Sequence, residues 1–201
     1  MDAATQTVTA LESVELPLVM ASDSALEGYG RLVEDPEAVD IEIVTWPAQG
    51  WRPVDPGTGD EGGTTEGLFE FWWRDGVLHG RNEAVGDQYE LAWRRQDGRA
   101  LIRHANYHPD GGQLFFPLDP GPFVVPLALP GDDVKPTDFV AFRFEGGCGL
   151  YIHPGVWHEA VIPLAERARF FDKQGRVHAR ISCEFDREFG CSLAVPLDLS
   201  L

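Results

Sequence analysis

The sequence predicts an all-β protein folded as a sandwich or closed barrel. Twenty-two Gly and fifteen Pro punctuate its 201 residues, which leaves little room for long helices. From residue 98 onward, short apolar stretches rich in β-branched and aromatic residues are bounded by turn signals. Within one of them Val177, Ala179 and Ile181 point one way, and Arg176, His178 and Arg180 the other, the period of a strand.

Taken in order, residues 1–12 carry no such pattern and are expected to be loosely ordered. Ser22 and Asp23 precede Ala-Leu-Glu and Gly28, which reads as a short capped helix stopped by glycine. Residues 40–46 (DIEIVTW), 67–73 (GLFEFWW) and 77–85 (VLHGRNEAV) read as strands, with a Gly-rich loop over 55–63. That loop is followed by no GxxxxGK and is not a phosphate loop. Further strands are expected in 100–107, 112–118, 122–129, 138–145, 149–155, 159–164, 176–185 and 191–199. Length predicts one domain, residues 21–201, preceded by an N-terminal extension over residues 1–20.

The formal charge is −17, unevenly spread. Residues 1–70 hold fifteen acidic and two basic side chains; residues 71–201 hold eighteen and fourteen. A polyanion is repelled by phosphate backbones and anionic lipid, so neither nucleic acid nor membrane is an expected partner. No apolar run approaches the ~20 residues that span a bilayer, and the N-terminus has no basic segment leading into an apolar core. Cys148, Cys183 and Cys191 form no CxxC pair and are expected to be reduced.

Four of six histidines lie between residues 104 and 158, in two groups at strand–turn junctions. The first runs His104-Ala-Asn106-Tyr-His108-Pro-Asp-Gly-Gly-Gln113, the second His153-Pro-Gly155-Val-Trp-His158. A barrel that brings the two junctions together makes a site for a metal or an acid–base pair. His79 and His178 read as structural residues, and Trp72-Trp73 as core or interface. There is no G-x-S-x-G and no cysteine paired with a histidine as a nucleophile.

The spacing resembles that of small metal-binding barrels of the cupin class. Those place His-x-His-(x)4-Glu on one strand pair and the last ligand in a later Pro-x-Gly-x-x-His. Here Asn106, His108, Gln113 and His158 occupy the four positions. The stretch from His108 to Val161 is similar to the ureidoglycolate lyase family, formerly ureidoglycolate hydrolase. It carries His-Pro-x-x-x-Gln, the Phe-Val-Val strand, the Gly-Asp-Asp turn, and His153, Trp157 and His158 in His-x-x-x-Trp-His. Fainter echoes are Glu27-Gly-Tyr-Gly, Gly63-Thr-Thr-Glu66 and Asp186-Arg187.

The resemblance implies a cupin-type β-barrel (a double-stranded β-helix) with a few short helices, in a cytoplasmic homodimer of purine catabolism. It implies a carbon–nitrogen lyase of the amidine-lyase type that splits ureidoglycolate into glyoxylate and urea. The substrate is a small anion, and one divalent cation is the expected cofactor, on His108, Gln113 and His158. His153 and His108 are expected to move protons, and Asn106, Glu66 and Arg187 to contact substrate. Asn106-Tyr107 stands where the family has Glu-Arg, Tyr151-Ile152 where it has Asn-Tyr, and Gly67 where it has Arg. These changes leave two other readings open. One is a lyase, dehydratase or isomerase for another hydroxy-acid or sugar acid; the other is a non-catalytic metabolite-binding barrel.

Overall fold

A computed structural model of the chain describes residues 11–44, 50–56 and 62–198. The expectation for residues 1–12 therefore falls almost wholly outside the described residues, as do the end of the strand expected at 40–46 and the middle of the 55–63 loop.

The strands are β1 (Glu12–Glu15), β2 (Leu18–Met20), β3 (Gly30–Val33), β4 (Thr64–Arg74), β5 (Val77–Asn82) and β6 (Asp87–Gln96). Then come β7 (Arg99–Ile102), β8 (His104–Tyr107), β9 (Gln113–Pro117), β10 (Phe123–Ala128), β11 (Val140–Phe144) and β12 (Gly149–Ile152). The last are β13 (Trp157–His158), β14 (Ile162–Pro163), β15 (Arg167–Gly175), β16 (Ile181–Glu184) and β17 (Cys191–Pro196). Among the described residues helix is confined to two 3-10 turns, Pro36–Ala38 and Pro136–Asp138, and one α-helical turn, Phe185–Glu188. The fold is all-β, as the punctuation of the sequence predicts, and is consistent with the cupin-like architecture that the resemblance implies.

Ten strands form one sheet in the order β1-β17-β7-β6-β5-β4-β15-β9-β12-β3. Seven form the other, β16-β8-β13-β10-β11-β2, with β14 also on β10. Pairing is antiparallel except at two edges, where β1 lies parallel to β17 and β2 parallel to β11. The described part of the expected N-terminal extension is thus built into both sheets, and Leu16 between its strands is 3% exposed. Residues 23–29 make hydrogen-bonded turns, not a helix. The Ser22 hydroxyl does accept the Ala25 N–H, and Gly28 stops the turns at φ +85°.

Two hairpins explain the regular centre of the larger sheet. Asp75-Gly76 between β4 and β5, and Asp97-Gly98 between β6 and β7, both take positive φ at both residues (52° and 72°; 50° and 73°). That conformation matches the twist of a two-residue hairpin, and Asp-Gly adopts it at little cost. The core between the sheets is aromatic. Phe71, Phe115, Phe170, Phe123 and Phe144 are all buried, and the last two stack at 4.5 Å. A smaller cluster of Val33, Val39, Ile41, Leu114 and Tyr151 forms a second buried group. All three cysteines are free. Trp73 joins the core and donates its indole N–H to the Pro163 carbonyl at 3.0 Å; Trp72 stacks on His79 at 5.7 Å. Among the described residues no helix is long and apolar enough to cross a membrane.

Candidate active site

The two histidine groups meet. Strand β13 pairs with β8 so that His158 lies opposite Asn106. The Gly155 N–H donates to the His108 carbonyl at 3.1 Å, across the turn that Pro154-Gly155 makes. Gly155 sits at φ +78°, which other residues rarely adopt. Alternation along β8 turns His104 and Asn106 to one face and Ala105 and Tyr107 to the other. His108 continues the first set just beyond the strand.

That face borders a cavity of about 250 Å³ between the sheets. The smaller sheet contributes His104, Asn106 and His158; the larger contributes Phe69, Asn82, Trp93, Gln113 and Phe115. His108, Glu159, His178 and Arg180 close it from the connecting segments. Of the residues singled out from sequence, Asn106, His108, Gln113 and His158 come together here. The other three lie elsewhere. His153 ends β12, gives its N–H to the Tyr29 carbonyl at 3.0 Å and packs edge-on against Tyr151. Glu66 is exposed on β4 at 4.0 Å from Lys173. Arg187 is exposed on the single α-helical turn.

Hydrogen bonding fixes the polarity of one wall. His108 donates Nδ1–H to the Ala179 carbonyl at 2.8 Å, and His158 donates Nδ1–H to the Val156 carbonyl at 2.7 Å. A carbonyl only accepts, so in both rings the proton is on Nδ1. Burial lowers both pKa values, that of His158 to about 3 with the neighbouring His108 adding to the effect. Both rings are therefore neutral near pH 7, and both Nε2 atoms are bare acceptors.

Gln113 faces them the same way. Its amide N–H donates to Asp172 Oδ1 at 2.7 Å, so its oxygen is the atom 3.2 Å from His158 Nε2. Asp172 is fully buried and also accepts from Asn82 (2.9 Å) and Gln174 (2.6 Å). Burial raises its pKa to about 6, against the opposing pull of the three amides, so it is ionised at neutral pH. Asn106 Oδ1 is buried without a hydrogen-bond partner. This wall presents acceptors to acceptors, an arrangement that calls for a cation or for N–H donors of a ligand.

His178 was expected to be structural. It lines the cavity, its ring 4.8 Å from that of His108, with Nδ1–H donated to Gln174 Oε1 at 2.6 Å. Its φ of 49° is an unusual backbone state for a non-glycine residue, and burial holds its pKa well below the ordinary value. Among the described residues no three His, Cys, Asp or Glu side chains are placed to hold a metal together. An ion at this wall would rest on two imidazoles and the amide oxygens of Gln113 and Asn106.

Beside this wall the cavity also carries a hydrogen-bonded chain. Ser182 donates its hydroxyl proton to Asp55 at 2.5 Å and accepts from His104 Nε2 at 3.0 Å. His104 Nδ1 meets the Glu159 carboxylate. Because the Ser182 proton is committed to Asp55, Nε2 of His104 keeps its hydrogen. The one mobile proton lies between His104 Nδ1 and Glu159. Burial pulls the His104 pKa down, but Glu159, Glu184 and Asp55 outweigh it and leave it above the usual value. Glu159 itself is 7% exposed.

Comparison with known proteins shows a likeness over part of the chain. Residues 96–185 match the family model described as ureidoglycolate lyase. The matched segment holds every cavity residue named above except Phe69, Asn82 and Trp93. Curated ureidoglycolate lyases are similar over the same scale. The protein of Stutzerimonas stutzeri is 40% identical over 77 residues, 37% of this chain and 45% of that one. The Azotobacter vinelandii protein is 37% identical over 76 residues, 37% and 46% of the two chains. The Pseudomonas putida protein is 37% identical over 82 residues, 40% and 49%. The chain thus spans less than half the length of these relatives. Among solved structures, procruciferin from Brassica napus aligns over 43% of this chain and 22% of its own, at 17% identity and a TM-score of 0.29, too little to bear on function.

Proposed function

We propose that the cavity binds ureidoglycolate and splits it into glyoxylate and urea, a carbon–nitrogen lyase of the amidine-lyase type. One observation carries the reading: Asn106, His108 and Gln113 from one short stretch and His158 from another line one cavity inside the segment similar to ureidoglycolate lyases. The family resemblance extends the reading to a cytoplasmic homodimer in purine catabolism.

The reaction is a retro-addition. The carbinol O–H gives up its proton, the C–O bond becomes a carbonyl, the C–N bond breaks, and the departing nitrogen takes a proton. Glu159, which lines the cavity beside His104, serves both transfers, first as base and then as acid. The chain through Ser182 to Asp55 holds the His104 ring in the tautomer this requires. The acceptor wall suits the N–H groups of the ureido end as well as a cation. A divalent ion, when bound by His108, His158, Gln113 and Asn106, would act as a Lewis acid toward the hydroxy-carboxylate. The apolar side, Phe69, Trp93 and Phe115, excludes water from the open aldehyde.

Single His108→Ala and His158→Ala variants test the assignment. Glyoxylate release from ureidoglycolate is expected to fall by about a hundredfold or more in each. Release at the parent rate in both would remove the acceptor wall from the mechanism.

A further inference from the structure

Arg180 is the single Lys or Arg among the described residues lining the cavity. Its main chain is held on both sides. Its own carbonyl accepts the Asp55 N–H at 2.8 Å, and the preceding carbonyl, of Ala179, accepts from His108. Its charge is near enough to His108 and His178 to oppose protonation of either ring. Yet its Nε is buried with no hydrogen-bond partner, and no described carboxylate forms an ion pair with it. That N–H has been desolvated without compensation, while the side chain as a whole is half-buried. What completes it is a planar anion that takes two parallel N–H bonds, and a carboxylate has that shape.

We infer that Arg180 is the carboxylate-binding residue of this cavity, and that the cavity selects small α-substituted monocarboxylates. The anchored carboxylate would place the α-carbon between Glu159 and the acceptor wall. A second carboxylate would enter a cavity that already holds Glu159 and, among its described residues, offers no second guanidinium. The identity of the acid as ureidoglycolate rests on the lyase reading; the carboxylate contact does not.

The probe is oxamate, a carboxylate joined to an amide, titrated calorimetrically into the full chain and its Arg180→Met and Arg180→Lys variants. Arg180→Met is expected to weaken oxamate binding at least about tenfold, the scale of a charge-assisted pair. Arg180→Lys should recover part of the loss, and both should melt where the parent does. In steady-state assays Arg180→Met should raise KM for ureidoglycolate more than it lowers kcat. Equal oxamate affinity in the parent and Arg180→Met, or no oxamate binding by the parent, overturns the inference. Arg180-dependent oxamate binding without ureidoglycolate cleavage would sink the lyase reading and leave this one standing. Unchanged cleavage in Arg180→Met would do the reverse.

Discussion

Replacing Gln113 with Leu separates the two tasks of that amide. The side chain is 4% exposed, and Leu has nearly its volume, so packing is largely kept. What is lost is the 2.7 Å hydrogen bond to Asp172, leaving that buried carboxylate two amide donors in place of three. A hydrogen bond to a charged group contributes about 1.5–3 kcal/mol. Against this, the substitution removes the 3.2 Å contact of two acceptors, Gln113 Oε1 and His158 Nε2. The net expectation for cation-free protein is a loss of about 2 kcal/mol. In a domain of this size that lowers Tm by about 4–8 °C. With one donor fewer, the Asp172 pKa also moves further up from about 6. Urea unfolding at pH 7.5, with and without a chelator, measures the cost. In the parent, added divalent cation should raise the urea midpoint, and in Gln113→Leu that rise should shrink. A cost under about 0.5 kcal/mol together with an undiminished cation effect would refute both tasks.

Further expectations concern the proton chain, the buried rings and the turn. Glu159→Gln and His104→Asn should each lower kcat by about 10²–10³ with little change in KM, read from initial rates of glyoxylate release. A loss confined to KM would mean that the pair binds substrate and moves no proton. Burial holds His108, His158 and His178 below their ordinary 6.5, so below that pH the unfolded chain binds more protons than the folded one. Their neutral state thus favours the fold fully above pH 6.5, and that contribution is lost as pH falls toward the His158 value of about 3. Urea midpoints of chelator-treated protein should drop from pH 7.5 to pH 5, more than in a His178→Phe variant; equal drops would contradict the shared burial. Gly155→Ala, at φ +78°, should cost about 1 kcal/mol in urea unfolding and reduce activity through the His108 carbonyl it holds; a neutral result would remove the turn's role.

The fold was legible because its punctuation is local. Gly and Pro mark strand ends whatever the tertiary context, and the expected strands from Phe123 to Ile152 stand where the apolar runs lie. Strand β6 was missed although Asp97-Gly98 announces the hairpin that ends it. Strand β15 was missed because its apolar residues Phe170 and Phe171 are hemmed by charges. Those charges face outward in part, while Asp172 is wholly buried and recognisable only through its three amide partners.

In the site, residues at fixed spacing were readable: Asn106 lies on β8, His108 just beyond it and Gln113 at the start of β9 in the facing sheet, and His158 follows a Pro-Gly turn. His104 could have been found from strand parity with Asn106. Arg180 and His178 lie on the polar side of an alternation that the sequence displays, but the turn at positive φ that aims His178 into the cavity is a tertiary product. Glu159 has no sequence signal beyond standing next to His158. The late Asp-Arg resemblance pointed to Asp186-Arg187, whereas the acid that reaches Gln113 is Asp172 on β15. The negative charge of the first seventy residues has little part in the cavity: among the described residues of that stretch Phe69 lines it, and Asp55 reaches it only through Ser182 and His104.

Whether this cavity breaks the C–N bond of ureidoglycolate, as proposed, is read from the stoichiometry of cleavage. The purified full chain, incubated with ureidoglycolate, should release one glyoxylate and one urea per molecule consumed, with no ammonia. Ureidoglycolate recovered intact, or ammonia in place of urea, would contradict the proposal.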